Sequence, residues 1–315
     1  MPSLIFALVA VSPIVGLGAE ASGWQPAAGH TQLPIWPGPV PDARPVTEEE
    51  TATTVGEHWY VAGKPWVAIQ AVSQPTITVY SPEGKNTGVA MVVFPGGGYW
   101  ILAIDLEGTE VCDWLTSKGI TAVLLKYRVP GHPQKVPRSG PYPDSSEALE
   151  DAQRAVGLVR FHAAEWHIDP HKIGVLGFSA GGHLVAAMST HFEQRLYKPV
   201  DEADKESCRP DFAVALYPGH LSVAPDSIEL NPDIRTHITA QTPPTFLLQN
   251  EDDHVDRVED SLSYYLALKK AGGSVEMHLY AQGGHGFGLR PTKYPVTEWP
   301  QLVEKWLASI GMISQ

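Results

Sequence analysis

Several stretches of this chain are almost wholly apolar, with no polar alternation inside them: Val89–Phe94, Ile120–Leu125, Ile173–Phe178 and Phe212–Tyr217. A strand reads this way when both of its faces are buried, which happens in parallel sheets covered by helices on each side. Helical spacing fills the intervals. Glu107–Lys118 places Val111, Trp114 and Leu115 on one face and stops at Gly119. Ser145–Trp166 carries Leu149, Ala152, Val156, Val159 and Ala163 on one stripe. Ala180–Thr190 reads as a further helix. Thr76–Tyr80 opens the series, and strand Thr245–Gln249, helix Val258–Ala271, strand Val275–Tyr280 and helix Trp299–Ile310 close it. Alternating strands and helices predict an α/β fold with a mostly parallel central sheet flanked by helices.

The length of 315 residues suits a single α/β unit, and 43% hydrophobic residues exclude a disordered chain. The formal charge of −13 argues against a nucleic-acid surface, since such a surface needs clustered Lys and Arg to displace counterions. Two cysteines, Cys112 and Cys208, make neither a disulfide framework nor a Cys-rich zinc site. Leu4–Ala19 is apolar and Ala19-Glu20-Ala21 follows with a small-x-small pattern, so residues 1–21 predict a signal peptide and a periplasmic or secreted protein. The apolar run falls short of the ~20 residues that span a bilayer. Residues 22–55 form a Pro-rich arm with Pro26, Pro34, Pro37, Pro39, Pro41 and Pro45, and residues 56–315 form the predicted catalytic domain. The oligomeric state is left open by the sequence.

Gly177-Phe178-Ser179-Ala180-Gly181-Gly182 lies where a predicted strand turns into a predicted helix. A serine on such a turn is held above the sheet, and the flanking glycines remove the Cβ atoms that would clash. The alternative is a serine that merely caps the helix. A serine hydroxyl needs a base, and in strand–turn–helix sites of this kind the order is Ser, acid, His. His285 has that order and sits in the glycine-bracketed loop Gly283–Gly288. His183 falls on the helix after the serine and His278 inside a strand, where packing roles are expected. Glu251, Asp252, Asp253 and Asp256 all follow strand Thr245–Gln249. Counting back from Val258 and Ser261 favours Asp253 as the acid, with Asp252 next. The remaining carboxylates are expected to be helix N-terminal charges. Pro95-Gly96-Gly97-Gly98 closes an early strand, and the N–H groups of Gly97 and Gly98, with that of Ala180, are the expected oxyanion donors. No nucleotide loop, H-E-x-x-H or clustered His/carboxylate motif occurs, so neither cofactor nor metal is expected. Tyr99, Trp100, Phe178, Tyr217 and Phe287 flank the centre in sequence and are candidates for substrate contacts, with core packing as the alternative for each.

Taken together, these stretches resemble the α/β-hydrolase fold, and within it the bacterial acetyl-esterase and acetylxylan-esterase-like enzymes near the hormone-sensitive-lipase group. The resemblance is carried by Leu33–Gly38, Phe94–Trp100, Leu125–Arg128, Ala148–Ala152, Gly177–Gly182, Ser207–Phe212 and Gly283–Gly288, and so covers about residues 33–310. It implies a Ser-His-Asp carboxylic-ester hydrolase that deacetylates plant polysaccharide. A feruloyl esterase, an arylformamidase-type amide hydrolase or a peptidase could share these residues, and a non-catalytic binding protein could share the scaffold. Two features depart from the hormone-sensitive-lipase pattern. Pro95 stands where a His would brace the oxyanion loop, and the segment before Thr245 is short and broken by Pro218, Pro225, Pro232, Pro243 and Pro244. The second departure predicts a small cap and an open site. Arg128 is expected to pair with Asp151 structurally.

Overall fold

The protein is described here by a computed structural model covering residues 23–43, 48–130 and 146–314. The predicted signal peptide, Pro45 and the predicted helix start at Ser145 lie outside these residues.

The main sheet is built from β1 (Gln32–Pro34), β4 (Thr76–Tyr80), β5 (Ala90–Phe94), β7 (Thr121–Lys126), β8 (Ile173–Phe178), β9 (Phe212–Leu216), β10 (Thr245–Asn250) and β11 (Val275–Tyr280). Their spatial order is β1-β4-β7-β5-β8-β9-β10-β11. β4 alone runs against the other strands, pairing antiparallel with β1 on one side and β7 on the other. Every residue of β5, β7, β8, β9 and β10 is buried, as the largely apolar runs predict, and the polar Thr121, Lys126, Thr245, Gln249 and Asn250 are buried with them. The helices are α1 (Glu110–Ser117), α2 (Glu147–Phe161), α3 (Ala180–Thr190), α4 (Pro232–Arg235), α5 (Val258–Lys270) and α6 (Trp299–Ser309). The predicted helix from Glu107 is a turn of π-helix over Asp105–Thr109 that leads into α1, and α2 ends at Phe161, before Trp166.

Proline-rich residues near the N-terminus run extended and dock on the rest of the fold. β1 pairs with β4, and β2 (Thr51–Thr54) joins β3 (Val67–Gln70) and β6 (Ile101–Ala103) in a small antiparallel sheet. Ile35, Trp36 and Val40 are buried, and Trp36 Nε1 donates to Asp151 Oδ1 at 2.9 Å.

That bond belongs to the ion cluster around Arg128. Arg128 Nε lies 2.9 Å from Asp151 Oδ2, and its Nη2 2.9 Å from Glu150 Oε2. Its Nη1 donates to the carbonyl of Pro41 at 2.7 Å, so one guanidinium joins the arm, β7 and α2. Burial pushes the Asp151 carboxyl up, while Arg128 and Trp36 Nε1–H pull it back down. Removing one partner of such a cluster strands the buried charge of the others. Arg128→Ala is therefore expected to lower unfolding free energy by about 3–5 kcal/mol, read from urea denaturation. A loss below ~1 kcal/mol would place the cluster among weak surface pairs.

Register decides where the chemistry gathers. Phe94 is level with Gly177, Phe178 with Leu216, and Asn250 with Tyr280. The loops after β5, β8, β9, β10 and β11 consequently leave from one edge, the carboxyl ends of parallel strands.

Candidate active site

Ser179 occupies the turn between β8 and α3 with φ 53° and ψ −121°. A non-glycine residue held there costs about 1–3 kcal/mol, so tight packing must fix it. The packing is visible at the flanking glycines. A Cβ on Gly177 would sit 2.2 Å from the Gly181 carbonyl oxygen, and one on Gly181 2.1 Å from that of Phe94. The Ser179 N–H donates to Leu216 O at 3.0 Å, which ties the turn to β9.

His285 Nε2 lies 3.0 Å from Ser179 Oγ, and His285 Nδ1 lies 2.7 Å from Asp253 Oδ2. Asp253 is held in turn: its Oδ1 accepts the N–H groups of Val255 at 2.9 Å and Asp256 at 3.0 Å, and Gln249 Nε2 donates to its Oδ2 at 3.2 Å. Asp252 faces elsewhere. Its Oδ1 accepts from the N–H groups of Gly283 at 2.9 Å and Gly284 at 2.8 Å, bracing the loop that presents His285. The structure thus brings Asp253, and not Asp252, to the imidazole. Burial opposes a charged His285, but Asp253, Asp256 and Glu107 outweigh it and hold the imidazole above its ordinary value.

The loop after β5 has consecutive positive φ at Gly97 (134°), Gly98 (63°) and Tyr99 (62°). At Gly97 a Cβ would come 2.2 Å from the Ile101 carbonyl oxygen, so only glycine fits. Gly96 N–H is already committed to Glu107 Oε2 at 2.8 Å. Among the described residues no backbone carbonyl takes the N–H of Gly97, Gly98 or Ala180. The histidine brace that Pro95 lacks has a substitute. Tyr127 Oη donates to Pro95 O at 2.6 Å, and Tyr217 Oη donates to Glu107 Oε1 at 2.9 Å. Gly288 N–H reaches Tyr217 Oη at 3.2 Å, so one buried carboxylate links the loop after β5 to the loop of His285. Burial pushes the Glu107 carboxyl up, with His285, Tyr217 and Gly96 N–H opposing.

Similarity to known proteins follows this geometry. The BD-FAE family model matches residues 77–219. The crystal structure of an acetyl ester-xyloside bifunctional hydrolase from Caldicellulosiruptor lactoaceticus is similar with 34% identity and a TM-score of 0.69, over 90% of this chain and 97% of that one. The chain belongs to the BD-FAE family of α/β-hydrolase esterases. An acetylxylan esterase of Xylanibacter ruminicola is 31% identical over 73% of this chain and 47% of its own length. An endo-1,4-beta-xylanase B of Butyrivibrio fibrisolvens is 28% identical over 67% of this chain and 34% of its own length. The chain spans about half or less of these two curated relatives.

On this esterase scaffold most of the aromatic candidates for substrate contact follow the core-packing reading. Phe178 and Tyr217 are 0% exposed, Tyr99 1% and Phe287 2%. Phe178 packs beneath the turn against Tyr217 and Trp299, and the Tyr217 and Phe287 rings lie 4.7 Å apart. Tyr217 also contacts the His285 ring at 4.9 Å, supporting the imidazole from behind. Of the five, Trp100 alone remains partly exposed. His183 is buried with Nδ1 2.9 Å from Tyr99 Oη, and His278 stacks on Phe246, so both pack as their positions suggested.

Asp256 corrects another expectation. It is not a solvated helix charge but a buried residue whose Oδ2 accepts from Ser179 Oγ at 2.9 Å. Neither it nor Glu107 was legible as part of the site. Asp256 is one acid among four in its segment, and Glu107 reads only as the start of a helix, its one signal being an acid embedded between Leu106 and Gly108.

Folding also gathers His191, Asp233 and His237, whose ligand-capable atoms lie within 4.8 Å of one another. His191 Nδ1 faces Ala187 O at 3.1 Å and His237 Nδ1 faces Asp233 O at 2.7 Å, leaving the Nε2 atoms as the available donors to a divalent metal. With Asp233 and His237 exposed and the imidazoles 4.1 Å apart, the same contacts clasp α4 to the end of α3 without an ion. Cys112 and Cys208 are free and buried. Among the described residues no helix is long and apolar enough to cross a membrane.

Proposed function

We propose that the protein is a serine carboxylic-ester hydrolase that removes acetyl groups from plant polysaccharide of the acetylxylan type. One observation carries the catalytic part: Ser179 Oγ, on its strained turn, lies 3.0 Å from His285 Nε2 while His285 Nδ1 lies 2.7 Å from Asp253. His285 takes the serine proton as Oγ bonds to the acyl carbon, and Asp253 fixes the imidazole tautomer and stabilises the imidazolium. The N–H groups of Gly97, Gly98 and Ala180 receive the oxyanion. Collapse of the tetrahedral adduct expels the alcohol, which takes the proton from Nε2. Water activated by His285 then cleaves the acyl-serine and releases the acid.

The substrate class is supported by what similar proteins are named for, an acetylxylan esterase and an acetyl ester-xyloside hydrolase. A small cap agrees with a polymeric substrate: residues 217–244 hold one four-residue helix and a single Ser222–Leu230 bridge. A polysaccharide substrate also fits export through the apolar Leu4–Ala19 segment to a periplasmic or secreted location. Acetate release from acetylated xylan, together with p-nitrophenyl acetate and butyrate, methyl ferulate and N-formylkynurenine, separates the readings. The expected order places acetyl esters first. Faster turnover of the ferulate or the formamide overturns the acetyl assignment, and no turnover of any of them overturns the enzyme.

A further inference from the structure

Ser179 has a single hydroxyl proton and two acceptors within hydrogen-bond reach. Its Oγ lies 3.0 Å from His285 Nε2 and 2.9 Å from Asp256 Oδ2, and those two atoms are 3.7 Å apart. The triangle is built rather than incidental. Asp256 is 7% exposed, and its N–H is fixed on Asp253 Oδ1 at 3.0 Å, the same carboxylate that orients the imidazole. On the other side lies Gly219, where a Cβ would sit 2.2 Å from Asp256 Oδ1, so the glycine leaves the carboxylate its room.

We propose that Asp256 is a second proton partner of the nucleophile: in the resting protein Asp256 and His285 hold one extra proton across Ser179, and that proton must pass to solvent before His285 can act as base. The inference rests on the Ser-His-Asp reading above. Without the extra proton, a buried carboxylate and an imidazole lone pair compete for one serine hydrogen. With it, both contacts are satisfied at once, since Nε2–H donates to Oγ and Oγ–H donates to Oδ2. Once that proton has left, the hydroxyl turns to Nε2. Its hydrogen then moves to the imidazole as the Oγ–carbon bond forms, and the resulting imidazolium has Asp253 on Nδ1 and the Asp256 carboxylate near Nε2. Asp256 thus sets the pH at which the base becomes available and stabilises the cation that catalysis creates.

The charged and titratable surroundings agree. His285 faces Asp253, Asp256, Glu107 and the Tyr217 ring, and Asp256 faces His285, His220 and Asp253. Burial pushes the Asp256 carboxyl up, His285, His220 and the serine hydrogen bond oppose it, and Asp253 adds to the rise. His285 is itself held high by the carboxylates, so the pair keeps its proton to a higher pH than a lone histidine does.

The test is a titration of the His285 imidazole by NMR in the native protein and in Asp256→Asn, beside the pH profile of kcat/KM on p-nitrophenyl acetate. Removing a negative charge ~4 Å from the ring is expected to lower its titration by about one pH unit or more. The acid limb of the profile should move down with it, so that activity survives to lower pH. Gly219→Ala, which crowds the same carboxylate, is expected to shift the limb in the same direction and covers the case in which the Asn variant fails to fold. A titration and acid limb unmoved by either variant would overturn the proposal. The NMR titration needs no turnover, so an active Ser179→Ala protein would sink the hydrolase reading while leaving this one to be decided on its own.

Discussion

Ser179→Ala is expected to lose hydrolysis of acetyl esters by about 10⁴-fold or more in kcat, with the fold intact. In the proposed mechanism the substitution deletes the one atom that both attacks and carries the acyl group. It leaves Gly97, Gly98 and Ala180 in place, so the residual rate reports what the backbone donors and binding supply alone. Alanine occupies the same turn, because the φ of 53° is enforced by Gly177, Gly181 and the Ser179 N–H bond to Leu216 rather than by the hydroxyl. Covalent labelling by a fluorophosphonate should vanish with activity, while thermal unfolding stays cooperative. Hydrolysis retained near the parent rate would remove the proposed mechanism.

Asp253→Asn should cost nearly as much, about 10⁴-fold in kcat. The oxygen now 2.7 Å from His285 Nδ1 could be replaced by an amide NH₂, which favours a proton on Nε2 and so blocks the lone pair that must face Ser179. Asp252→Asn is the control. It keeps an acceptor for the N–H groups of Gly283 and Gly284 and does not meet the imidazole, so its loss should be far smaller. Equal losses in the two variants would show that the acid acts only by holding the loop. The two carboxylates differ by one position in a turn, and steady-state kinetics on both distinguishes orientation of the base from support of its loop.

Asp252 and Asp253 also show where reading along the chain stops. The order of serine, acid and histidine narrowed the acid to a short segment, and spacing from Val258 favoured Asp253. Nothing in a linear pattern says which of two adjacent side chains turns inward. That depends on the backbone after β10, where Gln249 Nε2 and the Val255 and Asp256 N–H groups converge on Asp253. Ser179 and His285 were easier because glycines mark them, and a glycine pattern is a local backbone demand.

For the aromatic residues, sequence left two readings open, substrate contact and core packing. Tyr99, Phe178, Tyr217 and Phe287 are near the centre in sequence and in space, but they lie beneath it. Proximity along the chain does not separate a ring that faces substrate from one that supports the residue facing it. Tyr217 is the clearest case: its ring backs His285 while its hydroxyl is occupied by Glu107.

Fold class, chain order of the candidate catalytic groups and the glycine loops follow from local rules: burial of both strand faces, strand-to-turn-to-helix chemistry, and the space a Cβ needs. These act over a few residues, so they are written in the order of the residues. The roles of Glu107 and Asp256 are not. Each carboxylate gains its meaning from partners more than ten residues away (Gly96 and Tyr217 for one, Ser179 and His285 for the other). Burial then raises both acids and makes them act on the imidazole, and burial of a single polar side chain is a property of the packed sheet edge, not of its neighbours in the chain.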